Sequence, residues 1–321
     1  MNVLASMRYL VALDEHRHFG RAALASHITQ PALSNALRAL EAEFGVLIVK
    51  RGRAFAGLTV EGEAVLATAQ RMLHEQELLR QRLRSEVGQP SGRLRLAAVP
   101  TAMTILSSFA IELQLRHPGI APTVVSLSSL EIETALDSMS VDLALGYIDR
   151  TRVRSVSLTA WPQCTELYYL VQHRATPVRG GKNLRFGAPI EWAEAATLPL
   201  CLLTPDMHNR AIVDEAFRSV GLRVTAAMET NSIHTLASSV GAGALASVLP
   251  GAALELLRAD GAFEARPLVA PLLQTPLGFM TYASDRMSRA LEAAIELLQA
   301  EAWAQQLQRL VGAPPPPAAA N

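Results

Sequence analysis

The hydrophobic pattern of the chain changes its period near residue 90, and this change constrains the fold more than any other feature of the sequence. Before residue 90, apolar residues recur at the three- and four-residue spacing of amphipathic helices. After it, compact apolar runs alternate with helical patterns, as in βαβ units with a parallel sheet. Gly88, Pro90 and Gly92 mark a hinge between the two regions. The sequence therefore predicts an α/β protein with a separate helical N-terminal unit.

The C-terminal region has enough strands and helices for two subdomains. Its strand-like runs lie at 93–100, 122–127, 141–147, 167–172 and 198–203. Helical patterns lie at 105–116, 131–138 and 210–220. The length favours two smaller α/β subdomains with a cleft between them, and one continuous sheet is the alternative. A strand at 277–283 and a helix at 289–310 are expected to return the chain to the first subdomain.

The stretch ITQPALSNALRALE, residues 28–41, predicts a helix with two different faces. Thr29 is a good N-cap, and a proline is tolerated in the first helical turn. The expected buried face consists of Leu33, Ala36, Leu37 and Leu40. The other face offers amides, a hydroxyl and one guanidinium, from Gln30, Pro31, Ser34, Asn35 and Arg38. These groups are suited to reading the edges of DNA bases.

The segments around this helix complete a DNA-binding pattern. A short helix at 20–26 and a turn at 27–29 precede it, and two short helices joined by a tight turn form a helix-turn-helix. The run VLIVKRGRAFAGLT then predicts two short strands and a turn, a wing, that carries Arg51 and Arg53. Residues 16–60 have a net charge of +4 in a chain whose net charge is zero. This favours a nucleic-acid-binding head, with chance clustering of surface charge as the alternative.

No glycine or proline interrupts the segment from Glu63 to Val87, which predicts a long helix. One of its faces carries a seam with alternating spacings of four and three residues, formed by Val65, Ala69, Met72, Gln76, Leu79 and Leu83. Such spacing is that of a short coiled coil and predicts a partner helix. Packing of the seam on the chain's own body is the alternative.

Several other classes of protein are disfavoured. No apolar run reaches the length of a membrane span and no signal-peptide core is present, so a cytoplasmic protein without a membrane partner is expected. Cys164 and Cys201 lack the spacing of a zinc site, and no metal or cofactor is expected. A hydrolase is disfavoured because no G-x-S-x-G elbow follows a strand. A redox-sensing regulator that uses the two cysteines remains an alternative, although strand-like apolar runs usually bury inert thiols.

The motifs resemble those of a known family along almost the whole chain. Residues 4–73, especially FGRAALASHITQPALSNALRALEAEFGVLIVKR followed by LTVEGEAVL, resemble the winged helix-turn-helix of LysR-type transcriptional regulators. GRLRLAAVPT, LQLRHPGI, the AL…VDLALGY segment and VGAGALASVLP resemble, in this order, the effector-binding body of that family. The segment LTPDMHNR is similar to the regulators found beside formate dehydrogenase genes. The chain is thereby identified as a LysR-type regulator, with the formate subgroup as a finer hypothesis.

The resemblance implies a division of the chain into four parts. These are a winged helix-turn-helix domain at 1–60, a linker helix with a hinge at 61–90, an effector-binding domain at 91–312 and a disordered tail at 313–321. The effector-binding domain is expected to have two α/β subdomains, like a periplasmic binding protein. The resemblance also implies a homotetramer, a dimer of dimers, that binds an inverted repeat in double-stranded promoter DNA. The further partners are a small-molecule co-inducer, with formate or another small carboxylate first, and RNA polymerase.

The resemblance assigns DNA-contacting roles by position. Gln30, Pro31, Ser34 and Arg38 fall on the recognition helix, and Arg51 and Arg53 fall on the wing. Asn35 departs from the family pattern, because many members have arginine directly after the serine. Asparagine matches adenine best, so this departure puts the common operator sequence of the family in doubt.

Four residues are the candidates for the effector cleft. Thr101, Ser129, Thr204 and Asn231 each stand between a strand-like run and a helical pattern. Hydroxyl groups and backbone N–H groups at converging helix N-termini form an anion site without any basic residue. Ordinary N-capping is the alternative for each residue taken alone. The joint position of the four at strand ends favours a site for a small, singly charged or polar ligand.

Overall fold

The protein is described here by a computed structural model. It covers residues 2–50, 52, 55–84, 89–152, 158–174, 183–258, 261–283 and 287–311. The chain forms two compact units, residues 1–88 with 137–140 and residues 89–136 with 141–321. Arg51, Arg53 and the tail at 313–321 lie outside the described residues, so what the sequence predicts for them stays a prediction.

The N-terminal unit is helical. Its helices are α1 (Val3–His16), α2 (Phe19–Ala25), α3 (Gln30–Phe44) and α4 (Val60–Arg84). Thr29 is the N-cap of α3, and its hydroxyl accepts a hydrogen bond from the backbone N–H of Ala32 at 3.4 Å. Helix α3 ends at Gly45, whose φ of 68° lies in the left-handed region that glycine adopts without strain.

Helix α3 buries the face that its periodicity predicts. Leu33, Leu37 and Leu40 are buried in one cluster with the apolar faces of α1 and α2, whereas Ala36 is half-buried. Burial of a leucine side chain contributes about 1.5–3 kcal/mol, so this cluster holds the three short helices together. The polar face of α3 is therefore fixed in orientation by the apolar face behind it.

The predicted wing contains less regular structure than the sequence indicates. In place of two short strands, its described part has one antiparallel bridge between Val49 and Leu58. The backbone N–H of Lys50 donates to the carbonyl of Gly57 at 3.0 Å beside that bridge. The carboxylate of Glu41 accepts hydrogen bonds from the N–H groups of Ile48 and Val49, at 2.9 and 3.1 Å. The last turns of α3 thus anchor the chain that leads into the wing.

The C-terminal unit is built on a mixed sheet, which corrects the expectation of a parallel one. Its strands are β1 (Gly92–Ala98), β2 (Ile120–Ser126), β3 (Leu143–Tyr147), β4 (Leu158–His173), β5 (Arg185–Phe186), β6 (Ile190–Glu191), β7 (Cys201–Leu203), β8 (Met228–Thr230), β9 (Ser247–Pro250), β10 (Phe263–Val269) and β11 (Gln274–Tyr282). Strand β1 pairs with β2 and β3 in parallel, and β7 pairs with β8 in parallel as a separate two-stranded sheet. Strand β4 is antiparallel to β9, β10 and β11.

The helices of this unit cover the sheet. They are α5 (Met103–Arg116), α6 (Ser129–Asp137), α7 (Trp192–Ala195), α8 (His208–Ser219), α9 (Ile233–Gly241), α10 (Arg289–Gln299) and α11 (Glu301–Val311). The single helix expected at 289–310 is wrong, because Ala300 has an extended backbone that separates α10 from α11. After this break Trp303 and Leu307 are buried in the same core as β1, β3 and β11. The end of the chain does return to the first subdomain, as predicted.

Two subdomains form, as the sequence predicts, but nine of their strands join in one continuous sheet, which is the alternative prediction. Strands β1–β3 and β11 with helices α5, α6, α10 and α11 form the first, around one apolar core. Strands β5–β10 with helices α7–α9 form the second, around two further apolar clusters. Strand β4 belongs to both, since it pairs with β11 over its first part and with β9 and β10 over its last.

Gly62 offers a test of packing in the N-terminal unit. A Cβ atom at this position would lie 2.1 Å from the carbonyl oxygen of Ile48, a backbone atom. We expect Gly62→Ala to lower the free energy of unfolding of the unit by about 1–3 kcal/mol, because the start of α4 must move away from the wing. Urea unfolding followed by far-ultraviolet circular dichroism measures this, with Glu63→Ala on the exposed side of the same turn as the control. Equal unfolding curves for both variants would contradict the prediction.

Candidate functional site

The predicted base-reading face of α3 is accessible. Gln30, Pro31, Asn35 and Arg38 are exposed, and Ser34 is half-buried. Arg38 donates from Nη1 to Oδ1 of Asn35 at 3.4 Å, so the two side chains lie side by side one turn apart. The face presents an amide and a hydroxyl toward the N-terminal end of α3 and a guanidinium further along. Such a surface has both donors and acceptors for the edges of bases.

Two arginines near this face are held by the N-terminal unit itself. Arg17 follows α1 with a left-handed backbone, pairs with Asp14 at 2.9 Å and lies over the ring of Phe55 at 5.7 Å. Arg21 donates from Nη2 to the carbonyl of His16 at 2.9 Å. Both guanidinium groups are therefore positioned by intramolecular contacts, although both residues remain exposed.

The seam on the long helix α4 is packed against the N-terminal unit over its first part and contains exposed apolar residues over its second. Val65 and Ala69 pack in the apolar core of the N-terminal unit, as the alternative interpretation of the seam expects. Met72 and Leu79 are 44% and 57% exposed. Gln76 accepts a hydrogen bond from Arg8, and the side chain of Leu83 lies outside the described residues. The second half of the seam thus leaves apolar side chains in water.

The carboxyl ends of β1 and β3 bring one predicted effector residue, Thr101, toward α8. Thr101 follows β1, and its hydroxyl lies 3.1 Å from the hydroxyl of Tyr147 at the end of β3. Asn209, in the first turn of α8, donates from Nδ2 to Tyr147 and to Tyr168 of β4, at 3.1 Å each. A buried hydrogen-bonded chain therefore joins the first subdomain to α8 of the second. Burial raises the pKa of both tyrosines, which stay neutral at physiological pH.

Capping does not account for the four predicted effector residues. Ser128 rather than Ser129 caps α6, and the backbone N–H of Glu131 donates to its hydroxyl at 3.3 Å. Helix α9 is capped by Ser232, which leaves Asn231 exposed in front of it. The cap of α8 is Met207, which makes no side-chain cap bond.

The hydroxyls of Ser129 and Thr204 are buried and have no hydrogen-bond partner within the described part of the chain. A buried hydroxyl without a partner costs about 1–3 kcal/mol, so these groups are poised for a bound acceptor. Their role in effector binding stays a prediction.

A second polar group at the cleft is charged. Arg150, just after β3, donates from Nε to Oε1 of Glu133 on α6 at 3.1 Å. Its Nη1 lies 3.0 Å from Nδ1 of His208, the first residue of α8. A guanidinium only donates, so Nδ1 accepts and the proton of the neutral imidazole is on Nε2. Burial, and then the charge of Arg150, lower the pKa of His208, in keeping with a neutral ring.

The sequence does not predict five of these residues, which are Tyr147, Arg150, Glu133, His208 and Asn209. A signal for two of them exists, because ligands bind outside the carboxyl ends of the strands in open α/β sheets. That rule selects Thr101, Ser129, Thr204 and Asn231, but it applies equally to the end of β3, where Tyr147 and Arg150 lie. The other residues meet them only through tertiary contacts.

A buried carboxyl group lies on β4 beside the tyrosines. Glu166 is fully buried, and its Oε1 accepts a hydrogen bond from the backbone N–H of Ala252 at 3.1 Å. Burial raises the pKa of Glu166 to about 7, and the bond from Ala252 opposes that rise. Burial and the charge of Glu166 raise the pKa of the Cys164 thiol to about 12, and burial raises the pKa of Cys201. Neither cysteine has the electropositive surroundings of a reactive thiolate.

Within the described residues, no cluster of three or more His, Cys, Asp or Glu side chains is arranged to hold a metal ion. None of the described helices combines the length and the apolar character needed to cross a membrane.

Together, the exposed polar face of α3, the wing bridge and the two-subdomain α/β unit fit a DNA-binding transcription regulator. Comparison with protein families identifies it further. Residues 4–63 match the bacterial regulatory helix-turn-helix protein, lysR family, and residues 87–303 match the LysR substrate binding domain. The chain belongs to the LysR family of transcription regulators and is not an enzyme.

Curated relatives carry several functional names. The chain is 28% identical over 301 residues to the probable HTH-type transcriptional regulator LrrA of Synechococcus elongatus, covering 93% of this chain and 97% of the relative. It is 34% identical over 168 residues to an SDS degradation transcriptional activation protein of a Pseudomonas species, and that match spans 50% of this chain and 55% of the relative. It is 32% identical over 146 residues to the dual regulator OxyR of Escherichia coli, spanning 45% of this chain and 48% of OxyR.

Solved structures share the fold over nearly the whole chain. A structure of a full-length OxyR variant from Pseudomonas aeruginosa has a TM-score of 0.68 at 25% identity, covering 95% of this chain and 94% of that one. A structure of full-length CbnR complexed with its target DNA has a TM-score of 0.65 at 20% identity, covering 92% of this chain and 98% of CbnR. The predicted fold, a winged helix-turn-helix with a two-subdomain α/β effector-binding domain, is confirmed.

Glu166 predicts a pH dependence of stability. Its pKa is about 7 in the folded protein and 4.5 in a solvated reference, so the folded state retains a proton that the unfolded state releases between these values. The stability that this proton provides is complete below about pH 4.5 and is lost as the pH rises to about 7. Glu166→Gln mimics the protonated form, and we expect its melting temperature relative to the unmodified protein to rise from pH 5 to pH 8.

Thermal unfolding at several pH values measures this difference. Glu112→Gln on α5, which removes a carboxylate paired with Arg116 at 2.7 Å near the surface, is the control. A melting-temperature difference for Glu166→Gln that stays constant from pH 5 to pH 8 would show that Glu166 does not carry the proton.

Proposed function

We propose that this LysR-type regulator binds an inverted repeat in promoter DNA through the α3 faces of two copies of the chain. The observation that supports it is the accessible face of α3, with Gln30, Pro31, Asn35 and Arg38 exposed and the apolar face buried behind them. In this proposal Gln30 presents its amide to an adenine edge and Pro31 contacts a thymine methyl group. Ser34 and Asn35 add short polar contacts, and Arg38 binds phosphate or a base.

The wing arginines complete the proposed contact with DNA. Arg51 and Arg53 follow the first residue of the bridge between Val49 and Leu58 in the sequence, and we assign them to the phosphate backbone or the minor groove. Phosphate contacts provide affinity without sequence information. The separate roles of α3 in base recognition and of the wing in phosphate binding are therefore tested by comparing affinities for specific and non-specific DNA.

Substitution of Gln30 tests the base-reading role. Operator sequences are first selected from a random duplex library with the unmodified protein, and affinities for a selected and a scrambled duplex are then compared at one salt concentration. We expect Gln30→Ala to weaken binding of the selected duplex by about 1–3 kcal/mol and to leave the scrambled duplex nearly unchanged. Arg53→Ala weakens both, because it removes a phosphate contact.

Glu43→Ala, at an exposed position near the other end of α3, is the matched control and leaves both affinities unchanged. Equal affinity of the unmodified protein for selected and scrambled DNA would overturn the proposal.

We assign the exposed half of the α4 seam to assembly. Met72 and Leu79 lie on one face of α4, and burial of such side chains against a second copy removes apolar surface from water. Two copies joined in this way carry two heads for the two halves of an inverted repeat, and two such dimers form the homotetramer of the proposal. RNA polymerase is the further partner that regulation of a promoter requires.

Disruption of the seam tests this assembly. We expect the double substitution Met72→Glu and Leu79→Glu to separate the dimer, because four carboxylates would face one another across the seam, and to abolish binding of the selected duplex. Light scattering at micromolar concentration measures the mass, and Glu75→Gln and Glu77→Gln together, at exposed positions of the same helix, are the control. A monomeric unmodified protein would refute the proposed assembly.

We place the effector in the cleft between the subdomains, with a small carboxylate such as formate as the first candidate. The buried hydroxyls of Ser129 and Thr204 and the buried Nε2–H of His208 lack acceptors within the described chain, and an anion supplies acceptors. Thr101 holds Tyr147 at the same cleft, whereas Asn231 lies exposed on the second subdomain. The formate subgroup rests on the segment LTPDMHNR, which contains Thr204 and His208.

A redox-sensing regulator is the second candidate, because relatives with this fold include OxyR and a hydrogen peroxide-inducible genes activator of Haemophilus influenzae. In this chain such a sensor would use Cys164 and Cys201. Mass spectrometry after mild peroxide treatment separates the candidates, since a reversible disulfide between the two cysteines would favour the redox sensor.

A further inference from the structure

Arg150 contacts one side chain from each subdomain, a carboxylate from the first and an imidazole ring from the second. Its partner on the first subdomain is the buried carboxylate of Glu133, and its partner on the second is the ring of His208. The Arg150 side chain is 30% exposed, so solvent reaches the guanidinium while its carboxylate partner is covered. The ring of His208 also packs edge-on against Tyr147, with centroids 5.2 Å apart.

A small cavity lies beside this guanidinium. Its lining includes Ser129, Glu133, Gly146, Tyr147 and Arg150, and its volume is about 10 Å³. That volume suffices for about one water molecule and not for a carboxylate group. The Ser129 side chain is more than nine-tenths buried, and within the described chain its hydroxyl has no partner. Inside this cavity, beside Ser129, a carboxylate from solution can therefore bind Arg150 only by taking the place of the carboxylate of Glu133.

Building on the effector site proposed above, we propose that Arg150 is the anion receptor of the cleft and that Glu133 occupies it in the absence of effector. A small monocarboxylate displaces Glu133, accepts hydrogen bonds from the guanidinium through both oxygens and accepts one more from Ser129. The planar fork of arginine matches the two oxygens of a carboxylate. Among the residues that line this cavity, all of them within the described chain, Arg150 is the single cation, so a monoanion matches its charge.

The exchange differs from a permanent ion pair in one measurable respect. If Glu133 competes with the effector, the binding-competent state is only a fraction of the protein, and the apparent affinity is reduced by that fraction. Removal of the Glu133 charge then tightens binding. If the pair serves only the fold, removal of the charge leaves anion binding unchanged or weakens it.

The test uses the full-length protein with sodium formate and sodium acetate as probes. Thermal shifts are measured across a concentration series, with sodium chloride at equal ionic strength as the baseline. We expect Glu133→Gln to lower the apparent dissociation constant by at least about 5-fold, because the competitor is gone. Arg150→Met raises it by at least about 10-fold, because the guanidinium is lost.

The matched control is Glu194→Gln, which removes a carboxylate paired with Arg266 at 3.3 Å on the second subdomain and leaves the dissociation constant unchanged. Glu133→Asp withdraws the carboxylate by one methylene and changes affinity in the same direction as Glu133→Gln. Glu133→Asp tests the competition between Glu133 and the effector if Glu133→Gln does not fold.

Two results would overturn the proposal. One is an unchanged or weaker affinity in the folded Glu133 variants, and the other is no shift with either probe in both the unmodified protein and those variants. Binding of the selected duplex by the same preparations is measured in parallel. Its retention shows that the anion receptor alone has failed, whereas its absence in the unmodified protein means that the proposed regulator function has failed.

Discussion

The geometry of the cleft depends on one strand that is continuous through both subdomains. Strand β4 pairs with β11 until Leu167 and with β9 from Tyr168 onward. Its register shifts opposite Leu277 and Gly278, which leaves Gln163 as the extra residue of a bulge, and a bulge increases local twist. Strand β4 thus turns from one subdomain into the other while its backbone stays hydrogen-bonded. A change in the relation of the subdomains is therefore expected to involve this strand and the side chains of α8.

The chemistry near β4 weighs against the thiol-based sensor that is the second candidate. Cys164 is next to the bulge, and burial together with the charge of Glu166 keeps its thiol protonated at neutral pH. Cys201 is fully buried in the apolar cluster of the second subdomain. The thiolate is the species that reacts with an oxidant, and neither environment stabilises it. The resemblance to OxyR therefore supports the fold. The surroundings of the cysteines favour an effector that binds without covalent chemistry over a redox signal.

Local patterns in the sequence predict the helices well, because the spacing of apolar residues in one segment decides which face is buried. Helix α3 with its Thr29 cap is an example. Strand direction in the sheet depends instead on partners far along the chain, so the antiparallel pairing of β4 with β11 is not encoded in either segment alone. The same limit applies to the cleft. The strand-end rule leads to Ser129, but the contact of Arg150 with His208 joins residues from different subdomains.

Two neighbouring residues of α8 contact the first subdomain by different kinds of bond. Asn209 donates its amide to the neutral tyrosines, and His208 accepts from the charged guanidinium of Arg150. A hydrogen bond that involves a charged group contributes about 1.5–3 kcal/mol, which corresponds to a shift of roughly 10- to 150-fold in an equilibrium. In the proposed exchange, a ligand that replaces Glu133 changes the surroundings of the guanidinium that His208 accepts from, and it leaves the amide bonds of Asn209 in place. In that proposal the amide bonds are a fixed contact and the bond to Arg150 is an adjustable one, and a differential affinity of this size is enough to shift the population between two arrangements of the subdomains.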